Sequence, residues 1–242
     1  MADPAPGIAG RLAAIEARIA AACARSGRER AAVTLVGASK TQPAELLAAA
    51  ARAGLRDFGE NRVQEGVAKS AELPAGTVWH LLGPLQSNKV RAAVRTFSIF
   101  HAVDRPSIAL ELDREAAKQG REITGLLEVN LGGEASKHGF ALDGFAEAAE
   151  PLAALRHLAI RGLMAIPPPG DSPEDSRAWF RKLAGLRAAL GRRDEWKGRL
   201  VHLSMGMSDD FEVAIEEGAT FVRVGTALFG ERGSLERANA EG

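Results

Sequence analysis

The chain has 242 residues, 46% of them hydrophobic, with 31 basic and 31 acidic side chains and a formal net charge of zero. Such a composition suits a globular protein with a sizeable core; it argues against disorder and against binding to nucleic acid or anionic membrane through bulk charge. The single cysteine, Cys23, excludes an internal disulfide and fits a reducing, cytoplasmic setting.

The first ten residues, "MADPAPGIAG", lack the basic start and apolar core of a secretory signal, and no apolar run is long enough to span a bilayer. "RLAAIEARIAAACARSGR" (11–28) is rich in Ala and Arg, as mitochondrial leaders are. Glu16 and the apolar periodicity predict an ordinary amphipathic helix there instead. Eight β-prone runs follow: 33–39, 56–61, 78–83, 98–104, 123–131, 159–167, 199–206 and 221–230. Helical stretches such as "PAELLAAAARAG" and "RPSIALELDREAAKQG" separate them; several begin near Pro and end at Gly, as at Gly54, Gly120 and Gly218.

The strands are nearly continuous apolar runs, the pattern of strands buried on both faces of a parallel sheet. Strict strand–helix alternation over this length predicts a single (β/α)8 TIM barrel with an extra N-terminal helix; a doubly wound open sheet is the alternative. The chain is read as one domain over 1–242, with its core at about 8–231. "IPPPGDSPEDS" (166–176) reads as a loop after the sixth strand with helix-start chemistry at its end, not as a linker.

In such a barrel the active face lies at the C-terminal strand ends. The residues there that packing would not choose are Ser39 and Lys40; Glu60 and Asn61; His80; His101 and Asp104; Glu128 and Asn130; Met164; "HLSMGMSDD"; and Arg223. A lone strand-end Lys is ordinarily a surface residue, His80 between apolar neighbours reads as a core histidine, and Glu128 as a partner for a base inside the barrel. Arg223 is harder to dismiss, because a buried guanidinium needs an acceptor. After the last two strands, Gly206 and Gly225 permit close backbone approach, and Ser204, Ser208 and Thr226 supply hydroxyls. Loops at these places often bind phosphate.

An amine on one strand end and a phosphate cradle on another suggest a phosphorylated aldehyde, pyridoxal 5′-phosphate (PLP). Lys40 would form a Schiff base with it, helped by partial burial of the amine; 204–208 and 225–226 would hold the phosphate, and Arg223 would face the pyridine nitrogen. Neither a catalytic set nor a metal site is expected.

The motifs "GASKTQP", "FGENRVQE", "WHLLGPLQSNK", "EASKHG", "RGLMAIPP", "SMGMSDDFEVAI" and "VRVGTALFG" occur in order over about 8–231. On these the chain resembles the YggS/PROSC family of pyridoxal phosphate homeostasis proteins. The resemblance implies a barrel like the N-terminal one of alanine racemase, PLP on Lys40, and phosphate contacts from Ser204, Gly225 and Thr226, with Met205 and Gly206 beside them. It also implies Arg223 at the ring nitrogen and Asn61, His80 and Met164 around the cofactor. Arg62 departs from the Tyr found in many members, a change at the pocket's edge.

Two activities fit: a non-catalytic holder of PLP that serves PLP-dependent apoenzymes, or an amino-acid racemase or decarboxylase. Racemisation needs a base on each face of the substrate; the chain contains no tyrosine and no second domain is expected, so the holder is favoured. An arginine at the ring nitrogen also makes a poorer electron sink. A monomer is expected, and Lys137 reads as a solvated loop residue or a second PLP attachment point.

Overall fold

The continuous apolar runs pair side by side in one direction. The computed structural model describes residues 7–134 and 138–230. Its strands are β1 (Thr34–Ala38), β2 (Asp57–Glu60), β3 (Val78–Leu81), β4 (Ile99–Val103), β5 (Ile123–Asn130), β6 (Phe140–Ala141), β7 (Leu158–Met164), β8 (His202–Ser204) and β9 (Phe221–Val224). All pairings are parallel. β1 lies between β2 and β9, and β4 pairs with β5, so eight strands close into a barrel. The ninth, β6, is a two-residue addition to the far end of β5. This is the (β/α)8 barrel expected, with the leading helix in place.

The helices are α1 (Ile8–Arg25), α2 (Ala44–Arg52), α3 (Val63–Ser70), α4 (Val90–Thr96), α5 (Pro106–Lys118), α6 (Phe145–Ala149), α7 (Arg177–Leu190), α8 (Phe211–Glu216) and α9 (Thr226–Phe229). α1 buries Leu12, Ile15, Ile19, Ala22 and Cys23, a stripe at helical spacing. It packs against α2, α8 and α9. Because α9 is only four residues long, α1 takes the outer position that a helix after the last strand would otherwise fill. Arg18 lies over the Phe211 ring at 4.5 Å, and Arg11 Nε donates to the Leu228 carbonyl at 2.6 Å, fastening that seam.

The apolar material divides into two. A large cluster fills the space between strands and helices. A small one, Val36, Leu82, Ala102, Leu126, Met164 and Phe221, lies inside the barrel. β4 carries a bulge: Phe100 faces Gly125, and Val103, three residues on, faces Leu127, only two residues on. The extra residue allows both His101 and Ala102 to contribute to the interior.

The expected strand over 221–230 stops at Val224. "GTALFG" contains the single turn α9, with the Gly225 carbonyl accepting from Leu228 and Phe229. The expected loop at 166–176 is present. Its Ser172 and Asp175 form a reciprocal capping box ahead of α7.

Candidate functional site

The C-terminal ends of the strands open onto a cleft of about 380 Å³. β1 leads into Lys40, β2 into Asn61, and β3 into Leu82, Gly83 and Pro84. β5 brings Glu128 and Asn130, and the loops after β7 and β8 bring Ile166 and Met207; Arg223 comes from β9. A larger adjoining cavity of about 660 Å³ shares Asn61, Pro84 and His138 with the cleft but contains neither Lys40 nor Arg223. Its wall includes Arg62, whose side chain is 80% exposed.

Lys40 stands just beyond β1 on a firmly held stem. Ser39 is fully buried; its N–H donates to Gly59 O at 2.8 Å and its hydroxyl to Glu60 Oε1 at 2.8 Å. Lys69 from α3 donates to both Ser39 O (2.8 Å) and Glu60 Oε1 (2.5 Å). The next residue, Thr41, has φ 63°, a left-handed conformation that a β-branched residue rarely adopts. Strain of this kind persists only where surroundings hold it, and here it redirects the chain immediately after the amine. The partial burial expected for Lys40 is not found: the residue is exposed along the cleft, because the chain has already left the strand there.

Asn61 is brought close to the β3 loop by Gly83. A Cβ on Gly83 would lie 2.6 Å from the Asn61 carbonyl oxygen, so only glycine allows this approach. Arg223 is 6% exposed; Nη1 donates to Ser204 Oγ at 2.5 Å and Nη2 to Ala165 O at 3.3 Å. Burial lowers its pKa to about 10, with Asp210 and Glu128 opposing, so it remains a cation at neutral pH.

The loop after β8 is pinned by Asp210, which accepts from Met207 N (2.7 Å) and from Ser176 Oγ (2.8 Å). Gly206 turns it at φ 91°, and its carbonyl accepts from Arg223 N at 3.0 Å. Ser208 Oγ accepts from Ala227 N at 3.3 Å and so joins the last two loops. Gly225 and the exposed Thr226 lie on the same side.

Three expected residues lie deeper than the sequence suggested. The Ser204 hydroxyl is buried between His101 and Arg223, not offered to the rim, because Ser204 is still within β8 and faces inward. Ser208 is the serine at the junction of the two loops. His80 is fully buried and does not line the cleft; its ring nitrogens bond Asp57 and His101. Met164 lies in the inner apolar cluster beneath the cleft and does not line it; Leu82 of that cluster and Ala38 packed against it do. Met205 points outward into the large core, leaving its backbone as its contribution to the loop. Lys137 lies outside the described residues.

Glu128 was the cleft residue least distinguished in the sequence. Its Oε2 is buried without a hydrogen-bond partner. Burial first and the nearby Asp104 carboxylate second raise its pKa to about 7, against the pull of His138 and Arg223. A carboxylate amid the apolar run "ITGLLEVNL" was its one signal.

The residues present fit a phosphorylated pyridine aldehyde. An accessible amine, a buried cation and an orphaned carboxyl oxygen line one cleft, and two loops joined through Ser208 lie beside it. Among the described residues, no group of three or more His, Cys, Asp or Glu is arranged to hold a metal ion, and no helix is long and apolar enough to cross a membrane.

Residues 11–233 match the family model "Alanine racemase, N-terminal domain". A pyridoxal phosphate homeostasis protein from Aquifex aeolicus is 46% identical over 223 residues, covering 92% of this chain and 97% of that one. The chain belongs to the pyridoxal phosphate homeostasis protein family. PipY of Synechococcus elongatus, a structure solved with PLP bound, is 42% identical with a TM-score of 0.81 over 92% of this chain and all of that one. Alanine racemase from Corynebacterium glutamicum, at 20% identity and a TM-score of 0.63, shares the fold; 60% of its length is covered.

Proposed function

We propose that this chain holds PLP at the mouth of its barrel, covalently on Lys40, and serves PLP homeostasis without turning over an amino acid. The observation that carries the reading is the convergence of Lys40 and Arg223 on one cleft, in a family whose solved member PipY binds PLP. The aldehyde supplies a carbonyl that an amine can capture reversibly as a Schiff base.

The chain's residues would divide the work. Lys40 bonds the aldehyde carbon. Arg223 donates to the ring nitrogen and, with a pKa far above that of a pyridine, leaves it unprotonated. Ser208, Gly225 and Thr226 hold the phosphate with main-chain N–H groups of both loops; Met205 and Gly206 shape the first loop. Asn61 flanks the ring, while Ser204, His80 and Met164 act from below. The protein works as a monomer in a reducing, cytoplasmic setting, binds neither nucleic acid nor membrane, and passes PLP to PLP-dependent apoenzymes.

The test is a visible spectrum of the loaded protein before and after borohydride, followed by peptide mapping. Absorbance near the Schiff-base band and a reduced adduct on Lys40, both lost in Lys40→Ala, are expected. An adduct on another lysine in the wild type refutes the assignment.

Glu128 favours the racemase as a second reading, since a carboxyl titrating at about 7 in the cleft has the acidity of a usable base. Exchange of the alanine α-proton in deuterated water decides it. Turnover in the range of about 1–10³ s⁻¹ would establish an enzyme, and exchange orders of magnitude slower is expected.

A further inference from the structure

A line of hydrogen bonds crosses the inside of the barrel from its N-terminal face to the cleft. Asp57, the first residue of β2, has a side chain 23% exposed and lines a cavity of about 510 Å³ at the foot of the barrel. Its Oδ1 lies 2.9 Å from His80 Nε2. His80 Nδ1 lies 2.9 Å from His101 Nε2, and His101 Nδ1 lies 2.7 Å from Ser204 Oγ. Arg223 Nη1 closes the line at 2.5 Å from the same oxygen. His80, His101 and Ser204 are fully buried. Phe221 packs against both rings, with centroids 5.6 Å and 5.2 Å away.

A guanidinium only donates and an ionised carboxylate only accepts, and a hydroxyl oxygen can accept twice, so the direction is read from the Asp57 end with one proton on each ring. His80 then donates from Nε2 to Asp57 and accepts at Nδ1 from His101 Nε2. His101 Nδ1 in turn accepts from the Ser204 hydroxyl, whose oxygen accepts from Arg223 Nη1. A line in this sense places hydrogen on Nε2 of both imidazoles. Reversing any bond requires a protonated Asp57 or a second proton on one ring. Burial and the neighbouring His80, Arg223 and His202 hold His101 well below the ordinary histidine pKa, which disfavours a second proton on that ring. Bonds aligned in one sense polarise one another, most strongly where water is absent.

We infer that Asp57, at the opposite end of the barrel, fixes the Arg223 guanidinium at the cleft by way of His80, His101 and Ser204. These four are positioning residues, and none of them lines the cleft. The line exists without a ligand; its effect on cofactor retention rests on the function proposed above.

Long-range proton–nitrogen NMR on histidine-labelled protein without cofactor tests the line directly at pH 7.5. The expected result is hydrogen on Nε2 of both His80 and His101. Hydrogen on Nδ1 of either ring overturns the inference, and no variant is needed to see it. The coupling is tested with Asp57→Ala and Asp57→Asn, the latter keeping an accepting oxygen. Asp57→Ala should displace the Arg223 Nε–H resonance and weaken retention of added PLP by about three- to tenfold, the effect of one lost hydrogen bond of ordinary net strength. Asp57→Asn should restore most of both. An unmoved Arg223 resonance in Asp57→Ala, or no rescue by Asp57→Asn, overturns the coupling. If the wild type takes up no PLP at all, the proposed function fails, and the tautomers and the Arg223 resonance still decide the line.

Discussion

Glu128→Gln is expected to stabilise the cofactor-free protein, and only in alkali. The Glu128 carboxyl titrates at about 7 in the fold, against an ordinary 4.5. Between those two pH values the folded chain holds a proton that the unfolded chain has released, so this group favours folding more as pH falls through that window. Above pH 7 the carboxylate is ionised in both states and the folded state bears the full cost of its burial. At 1.36 kcal/mol per pH unit the cost is roughly 3 kcal/mol, and partial contact with water reduces it to about 1.5–3 kcal/mol. A neutral amide of nearly the same shape removes it. Urea unfolding of both proteins at pH 8 and pH 4.5 measures the difference: a gain of about 1.5–3 kcal/mol at pH 8, shrinking towards zero at pH 4.5. His101 and His202, whose pKa values burial lowers, act in the opposite sense: unfolded chains take up protons below about pH 6.5 that the folded rings refuse. With Glu128 gone, nothing at that position offsets them, so acid destabilisation below pH 6.5 becomes steeper in the variant. An equal effect at both pH values, or a loss at pH 8, would refute the reasoning.

Four further single substitutions test the frame that carries the cleft. Lys69→Met leaves Glu60 buried without its cation and should cost about 3–5 kcal/mol by chemical denaturation at neutral pH, with much of the loss recovered in the Lys69→Met, Glu60→Gln double variant. Thr41→Gly relieves the left-handed backbone after Lys40 and should gain about 0.5–1 kcal/mol in the same assay, the strain relief partly offset by glycine's extra freedom when unfolded. Gly162→Ala places a Cβ 2.0 Å from the His202 carbonyl oxygen and must part β7 from β8; a loss above about 3 kcal/mol or failure to fold is expected. Gly185→Ala, with open space in α7, should instead gain up to about 1 kcal/mol.

The barrel was legible because its strands are buried on both faces and so read as unbroken apolar runs. The same property hid the end of β9: "FVRVGTALFG" stays apolar through Gly225, yet its second half is the turn of α9. β6 could not be read at all, since two residues carry no periodicity. Lys40 was correctly placed at a strand end, but its exposure depends on where the backbone turns at Thr41, and no side-chain pattern encodes that φ.

Depth inside the barrel was the part of the site that sequence motifs obscured. A motif gathers neighbours in the chain, and "HLSMGMSDD" suggests that its serines act together. Strand geometry separates them: Ser204 ends β8 facing inward, two residues beyond His202 on the same face, whereas Ser208 lies on the loop. The pairing of His80 with His101 joins adjacent strands, but that of His101 with Ser204 crosses the interior, between β4 and β8, which share no ladder. Only a closed barrel brings those two together. A sequence can therefore announce that polar residues are buried, as it did for Arg223, while their partners become visible only once closure is known. Barrel interiors are ordinarily filled by branched apolar side chains, and each unpartnered polar group in their place would cost about 1–3 kcal/mol. Here each step from Arg223 to His80 is a hydrogen-bonded contact and the line ends on a partly exposed carboxylate, so the interior keeps Ser204, His101 and His80 with a partner at each polar atom along the line.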